Sequence, residues 1–210
     1  MISIITPTFN RPLTVVERCL TSVDRQTYGD WEHIVVSDGV REEAVAELVK
    51  KRPDGKRRYE VVPKQGGFGA AVRQEALKFA GGDYLVFLDD DNIIFPRFLE
   101  KMLMGLSPEK VYPASEAHAA ELAFQVHPEF VICECLHFGP LQSFFGPAPV
   151  VLKGEPKLYH IDTLQIMVKK EAFLKVGWQG NDYFADGRTY EMLGKTYKWI
   201  NIPEVLCAHL

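Results

Sequence analysis

The chain has 210 residues, 47% of them hydrophobic and 25% charged, and 24 Lys and Arg against 28 Asp and Glu give a net charge of -4. That length suits one domain with a self-sufficient apolar core, and the composition removes the basis for disorder, collagen-like repeats or a long coiled coil. The longest basic run is Lys56-Arg57-Arg58, too little for a broad phosphate-neutralising surface, so nucleic acid is not expected as a partner.

In chain order, Ile2-Ser3-Ile4-Ile5-Thr6 reads as a buried strand, with no basic segment before it and no long apolar run after it that would make a secretory signal. Pro12 then opens a helix whose Leu13, Val16, Leu20 and Val23 recur at steps of three and four residues. A strand at 34–37, a charged helix at 42–51 and a strand at 59–62 follow. The glycine-rich stretch from Pro63 to Gly69 leads into a helix over 70–80, which Gly81-Gly82 ends. Tyr84-Leu85-Val86-Phe87-Leu88 is the fourth strand, and Pro96 opens a helix carrying Phe98, Leu99, Met102 and Leu103. Beyond it the rhythm weakens. Strands are predicted at 130–138 and 164–168, helices from Lys170 and over 187–195, and a Pro- and Gly-rich loop at 139–156 whose first part, to Pro149, could act as a lid. Cys19, Cys133, Cys135 and Cys207 fit neither a zinc knuckle nor a redox pair and are expected as buried thiols. No segment reaches the roughly 20 apolar residues of a membrane span; a cytoplasmic protein is expected, with peripheral membrane association as an alternative.

Four strand-then-helix units imply parallel crossover topology, in which ligands bind beyond the carboxyl ends of the strands. That rule selects Thr6 to Arg11, Ser37-Asp38-Gly39, Pro63 to Gly69 and Asp89-Asp90-Asp91-Asn92. Three adjacent carboxylates after an apolar strand repel one another unless a cation or hydrogen-bond donors compensate them. A hard divalent ion bridging carboxylate and phosphate oxygens would do so, and so would a plain acidic turn capping the next helix.

The ordered set Pro7-Thr8-Phe9-Asn10-Arg11-Pro12, Ser37-Asp38-Gly39, Ala71-Val72-Arg73-Gln74 and Gly82 to Asn92 resembles the inverting family 2 glycosyltransferases of the GT-A fold, and the Asp90-Asp91-Asn92 register resembles their spore-coat-type members. The resemblance implies an α/β fold with a Rossmann-like, mostly parallel central sheet and helices on both faces. It implies a single catalytic domain over 1–210, with a donor-binding half at 1–106 and an acceptor-binding half at 107–210. Thr6, Pro7, Thr8, Asn10 and Arg11 would line a nucleotide-sugar donor, Asp38 would accept the N3–H of uracil, and Arg73 would pair with the diphosphate or with the acidic pocket. In one register Asp89 and Asp91 flank a Mn2+ or Mg2+ ion; in the other Asp90 contacts the ribose and Asp91 holds the metal. His209 would be a further metal ligand.

The resemblance further implies a general base opening a late helix, which places Asp186 in that role, with Asp182 and Glu191 as fallbacks and helix capping as the bland alternative for Asp186. Asp162 and Trp178 would shape the acceptor side, or else serve as a buried carboxylate and a core tryptophan. The activity implied is transfer of a sugar from a nucleotide-diphosphate donor, UDP-linked by the Asp38 reading, to a hydroxyl of a glycan or lipid-linked acceptor. A non-catalytic sugar-nucleotide or glycan-binding module and a sugar-1-phosphate nucleotidyltransferase are the alternatives. On this reading 210 residues hold little beyond a catalytic core, and further domains in a longer native protein are expected.

Overall fold

The computed structural model describes residues 1–52, 55–107, 127–138 and 149–210, so the lid expected at 139–149 lies almost wholly outside the described residues. Four parallel strands form the first half of the sheet in the order β3-β2-β1-β4: β1 (Ile2–Thr8), β2 (Trp31–Asp38), β3 (Arg57–Val62) and β4 (Tyr84–Phe87). Three crossover helices join them in turn: α1 (Leu13–Asp24), α2 (Glu43–Lys50) and α3 (Ala70–Ala76), the last extended by a 3-10 turn at Leu77–Phe79. Pro12 stands at the N-terminal boundary of α1 with φ -54, already set for a helix.

Beyond β4 the sheet reverses direction twice. β8 (Ile166–Lys169) runs antiparallel to β4, and β6 (Phe130–His137) runs antiparallel to β8. β9 (Trp199–His209) then lies parallel to β6, with β5 (Ile93–Ile94) antiparallel on its far side and β7 (Val150–Leu152) paired to β6. The two reversals cancel, so β6 and β9 end at the same edge of the sheet as β1, β2 and β4. The second half therefore departs from the simple doubly wound pattern that the first half announces. β5, β7 and the first residues of β9 were not expected from the sequence.

Strand alternation divides the core into two layers. Ile2, Ile4, Val86, Leu88, Val131 and Cys133 pack with α1 and with α4 (Phe98–Leu106), while Val35 packs with Val16, Leu20 and the α2 residues Val45 and Val49. On the opposite face Ile5, Ile34, Val36, Phe87, Ile132 and Val168 meet α3, α5 (Lys170–Val176) and α6 (Ala185–Thr196). All four cysteines are buried free thiols, and among the described residues no helix is long and apolar enough to cross a membrane.

Candidate active site

A pocket of about 590 Å³ opens at the carboxyl edge of the sheet, a size and position that suit a nucleotide-sized ligand. One wall carries Pro7, Thr8, Phe9 and Arg11 from the end of β1, Asp38 from β2, the loop 64–69, Arg73 from α3 and Asp89-Asp90-Asp91 after β4; the other carries residues 158–163, residues 182–187 and His209.

On the first wall two guanidinium groups answer the repulsion within the carboxylate run. Arg73, only 4% exposed, pairs with Asp89 and lies 5.2 Å over the Trp178 ring. Arg11 spans the other two, with Nε 2.9 Å from Asp90 Oδ1 and Nη2 2.7 Å from Asp91 Oδ2. Burial pushes the Asp90 carboxyl up to about 6 in spite of Arg11. Its Oδ2 and the Thr8 hydroxyl are both buried, and the nearby Thr8 hydroxyl, with Arg11, partly offsets the rise. Asp38 accepts hydrogen bonds from the backbone N–H groups of Gln65 and Gly66 at 2.6 and 3.0 Å and from Lys64 Nζ at 2.8 Å. Burial opposes its ionisation, but these donors hold its carboxyl below the usual range. Gly67, with φ +72, closes the loop against the second wall: a Cβ there would lie 2.4 Å from the Asn181 carbonyl oxygen.

The second wall brings together a cluster only partly foreseen. His209 Nδ1 lies 2.8 Å from Asp162 Oδ2, and His137 Nε2 lies 3.4 Å from the same oxygen. The two imidazoles stack with ring centroids 4.2 Å apart. His209 Nδ1 is buried and close to the carboxylate, but not aligned to donate a hydrogen bond to it. One ligand atom from each of the three residues falls within 4.8 Å of the others. Two imidazole nitrogens and a carboxylate fit a divalent transition ion such as Mn2+ better than Mg2+. Asp162 resists burial through these imidazoles, which hold its carboxyl well below the ordinary range. His137 was not anticipated. It meets His209 because β6 and β9 pair in parallel with His137 opposite His209 and Cys135 opposite Cys207, and the alternation Cys133-Glu134-Cys135-Leu136-His137 was the available signal.

Asp186 stands in the first turn of α6, accepting hydrogen bonds from Thr163 Oγ1 at 3.0 Å and from the Gly187 N–H at 2.7 Å. Burial, reinforced by the negative Asp162, pushes its carboxyl up to about 6. The N-cap position belongs to Phe184, with no side-chain cap, so capping does not account for Asp186. The fallback carboxylates are engaged elsewhere: Asp182 with Arg188 at 2.7 Å and Glu191 with Lys195 at 2.9 Å.

Three expected site residues do not line the pocket. Thr6 is fully buried, its hydroxyl 2.9 Å from His33 Nε2 on the neighbouring strand β2, so it lies inside the sheet rather than at its edge. Asn10 takes a left-handed φ of 52 and gives its backbone N–H to Glu42, so it shapes the turn. Trp178 packs on Phe87, Phe173 and Tyr190 with centroids 4.9 to 6.1 Å away; it is a partly buried ring, packed against the core, that backs Arg73.

Comparison with known proteins follows the same lines. An uncharacterized glycosyltransferase of Haemophilus influenzae is 30% identical over 181 residues, which is 84% of this chain and 55% of that protein. Among solved structures, S. aureus TarS 1-349 in complex with UDP-GlcNAc superposes with a TM-score of 0.71 at 18% identity, covering 99% of this chain and 58% of that one. The mannosyltransferase PcManGT of Pyrobaculum calidifontis, in complex with GDP-Man and Mn2+, gives 0.64 at 19% identity, covering 99% and 56%. These structural matches establish the GT-A fold, and the chain spans little more than half of each of these three matched chains and 36% of the longer TarS chain. The sequence profile of Glycosyl transferase family 2 matches residues 3–169, most of the chain, and the protein belongs to that family.

Proposed function

We propose that this chain transfers a sugar from a nucleoside-diphosphate donor, UDP-linked, to a hydroxyl of a glycan or lipid-linked acceptor with inversion at the anomeric carbon. The observation that carries the reading is the division of one pocket. Its first wall presents Asp38, Arg11 and the carboxylates after β4, and the facing wall presents Asp186, whose carboxyl is raised to about 6.

Asp38, ionised and fixed by the 64–66 backbone, is a hydrogen-bond acceptor for the imide N–H of uracil. Asp90 and Thr8, neighbours in the pocket lining, would meet the ribose. Asp91 and His209, with Asp162 and His137 behind His209, would hold a divalent ion, which supplies neutralising charge to the departing diphosphate. Arg11 adds a fixed positive charge on the same side. Asp186 takes the proton from the acceptor hydroxyl as that oxygen attacks the anomeric carbon, and Thr163 and the Gly187 N–H orient its carboxylate. Single displacement needs no covalent intermediate. UDP-GlcNAc in the TarS complex supports the donor class, and GDP-Man with Mn2+ in PcManGT supports the metal.

Calorimetric titration of UDP, GDP and dTDP with and without Mn2+ tests this reading. Metal-enhanced UDP binding is expected, lost in Asp91→Ala only when Mn2+ is present. Equal loss without metal would remove Asp91 as a ligand, and preference for GDP would remove uracil recognition by Asp38.

A further inference from the structure

The second wall carries a feature that neither the donor nor the metal uses. Tyr159, Tyr183 and Phe184 line the pocket while remaining 45%, 51% and 38% exposed, and Phe68, 64% exposed, continues the row from the opposite loop. The rings are not scattered. Tyr159 meets Phe184 edge-on at 5.2 Å, Phe184 meets Tyr183 at 5.2 Å, and Tyr183 meets Phe68 at 5.5 Å. Tyr183 and Phe184 immediately precede α6, three and two residues from Asp186. Asn181 ties this segment to the Phe68 loop and to α3, donating its Nδ2 to the Gly66 carbonyl at 3.4 Å and accepting the Ala71 N–H at 3.1 Å, which fixes the row relative to the base. Large rings left at a pocket mouth mark a contact surface.

Charge narrows what that contact is. Among the described residues the pocket's Arg and Lys side chains, Arg11, Lys64 and Arg73, stand on the donor wall, whereas the wall bearing the rings presents Asp182 and Asp186, with Asp162 already paired to His209 and His137. Arg188, on the same segment, is tied to Asp182 at 2.7 Å and to the Gln179 carbonyl at 3.0 Å. A polyanion approaching from this side meets carboxylates, and like charges at a recognition surface select against it. An uncharged sugar ring meets aromatic faces for its C–H surface and carboxylates as acceptors for its hydroxyls.

We propose that Tyr159, Tyr183 and Phe184 seat an uncharged pyranose ring of the acceptor beside Asp186, and that this wall disfavours polyanionic acceptors such as poly(polyol phosphates). This rests on the donor-and-base reading above, with residues 158–163 and 182–187 as the acceptor subsite. The rings position the acceptor; the proton transfer stays with Asp186.

Saturation-transfer NMR with methyl hexopyranosides and methyl N-acetylhexosaminides, read without donor, tests the platform directly, with poly(ribitol phosphate) as the anionic comparison. At least one pyranoside should bind. Tyr159→Ala and Tyr183→Ala should each weaken it by about 3- to 10-fold, with Tyr183→Phe close to wild type and UDP affinity in Mn2+ held within about twofold. Absence of pyranoside binding, tighter binding of poly(ribitol phosphate), or unchanged affinity in both alanine variants would overturn the proposal. A large fall in melting temperature of Tyr159→Ala and Tyr183→Ala would do so too, by making the rings packing residues. Failure of UDP to bind would sink the donor reading alone, since the NMR measurement does not depend on it.

Discussion

Replacing Asp186 by Asn separates the cost of the base from its use. Its carboxyl is raised from 3.8 to about 6, first by burial and second by the neighbouring charge of Asp162. At about 1.36 kcal/mol per pKa unit, that interval corresponds to roughly 3 kcal/mol by which the folded protein resists ionising this group. The sign follows from proton counting. Between pH 4 and 6 the folded state holds a proton on Asp186 that the unfolded state has released, so stability falls as pH rises through that window, and the full cost is present above about 6. Asparagine keeps the shape and carries no charge: its single carbonyl oxygen can accept from the Gly187 N–H while its amide N–H donates to the Thr163 hydroxyl oxygen. Asp186→Asn is therefore expected to melt several degrees higher than the wild type at pH 7.5, at about 2–4 °C per kcal/mol for a domain of this size. The advantage should vanish near pH 4. The same variant loses the base, and kcat should fall by about 10²- to 10⁴-fold. In the wild type, kcat/KM should drop tenfold per pH unit below about 6, since only the ionised carboxylate accepts the proton. Thermal scans across pH 4 to 8 alongside UDP release measure both effects. Turnover within tenfold of wild type in Asp186→Asn, or a melting difference independent of pH, would refute the assignment.

Two further substitutions test neighbouring assignments. His137→Ala should weaken Mn2+ binding, measured by calorimetry without nucleotide, by about 10- to 100-fold; unchanged Mn2+ affinity would make His137 a packing residue for His209. Trp178→Ala should lower the free energy of urea unfolding by about 3 kcal/mol, since it removes a ring packed on Phe87, Phe173 and Tyr190 and the face under Arg73. A variant of normal stability with acceptor binding alone impaired would return Trp178 to the acceptor side.

The first half of this chain was legible because its information is local. Each strand is a short apolar run, each crossover helix repeats at three and four residues, and the strand-end rule then points at Asp38 and at Asp89-Asp90-Asp91 without any long-range knowledge. Local reading stops where the side chain's surroundings decide its role. Thr6 and Thr8 are two residues apart on one strand and share its face; what separates them is that the Thr6 hydroxyl lies against His33 of β2, whereas Thr8, the last residue of β1, lines the pocket. The second half is set by pairings between distant segments. β9 hides its length because Pro203 and Glu204 interrupt its apolar pattern, and they fall where the β6–β9 register shifts between Cys133 and Cys135. The shift matters for chemistry as well as for recognition of the strand. It sets Cys135 opposite Cys207 and His137 opposite His209, and since strand side chains alternate, a register one residue different would face His209 away from Asp162. No spacing in the sequence encodes that choice. The metal-ligating potential of the second wall is therefore a property of sheet register, and His137, 72 residues before His209 in the chain, becomes visible only once β8 has been inserted between β4 and β6 to bring both strand ends to the donor edge.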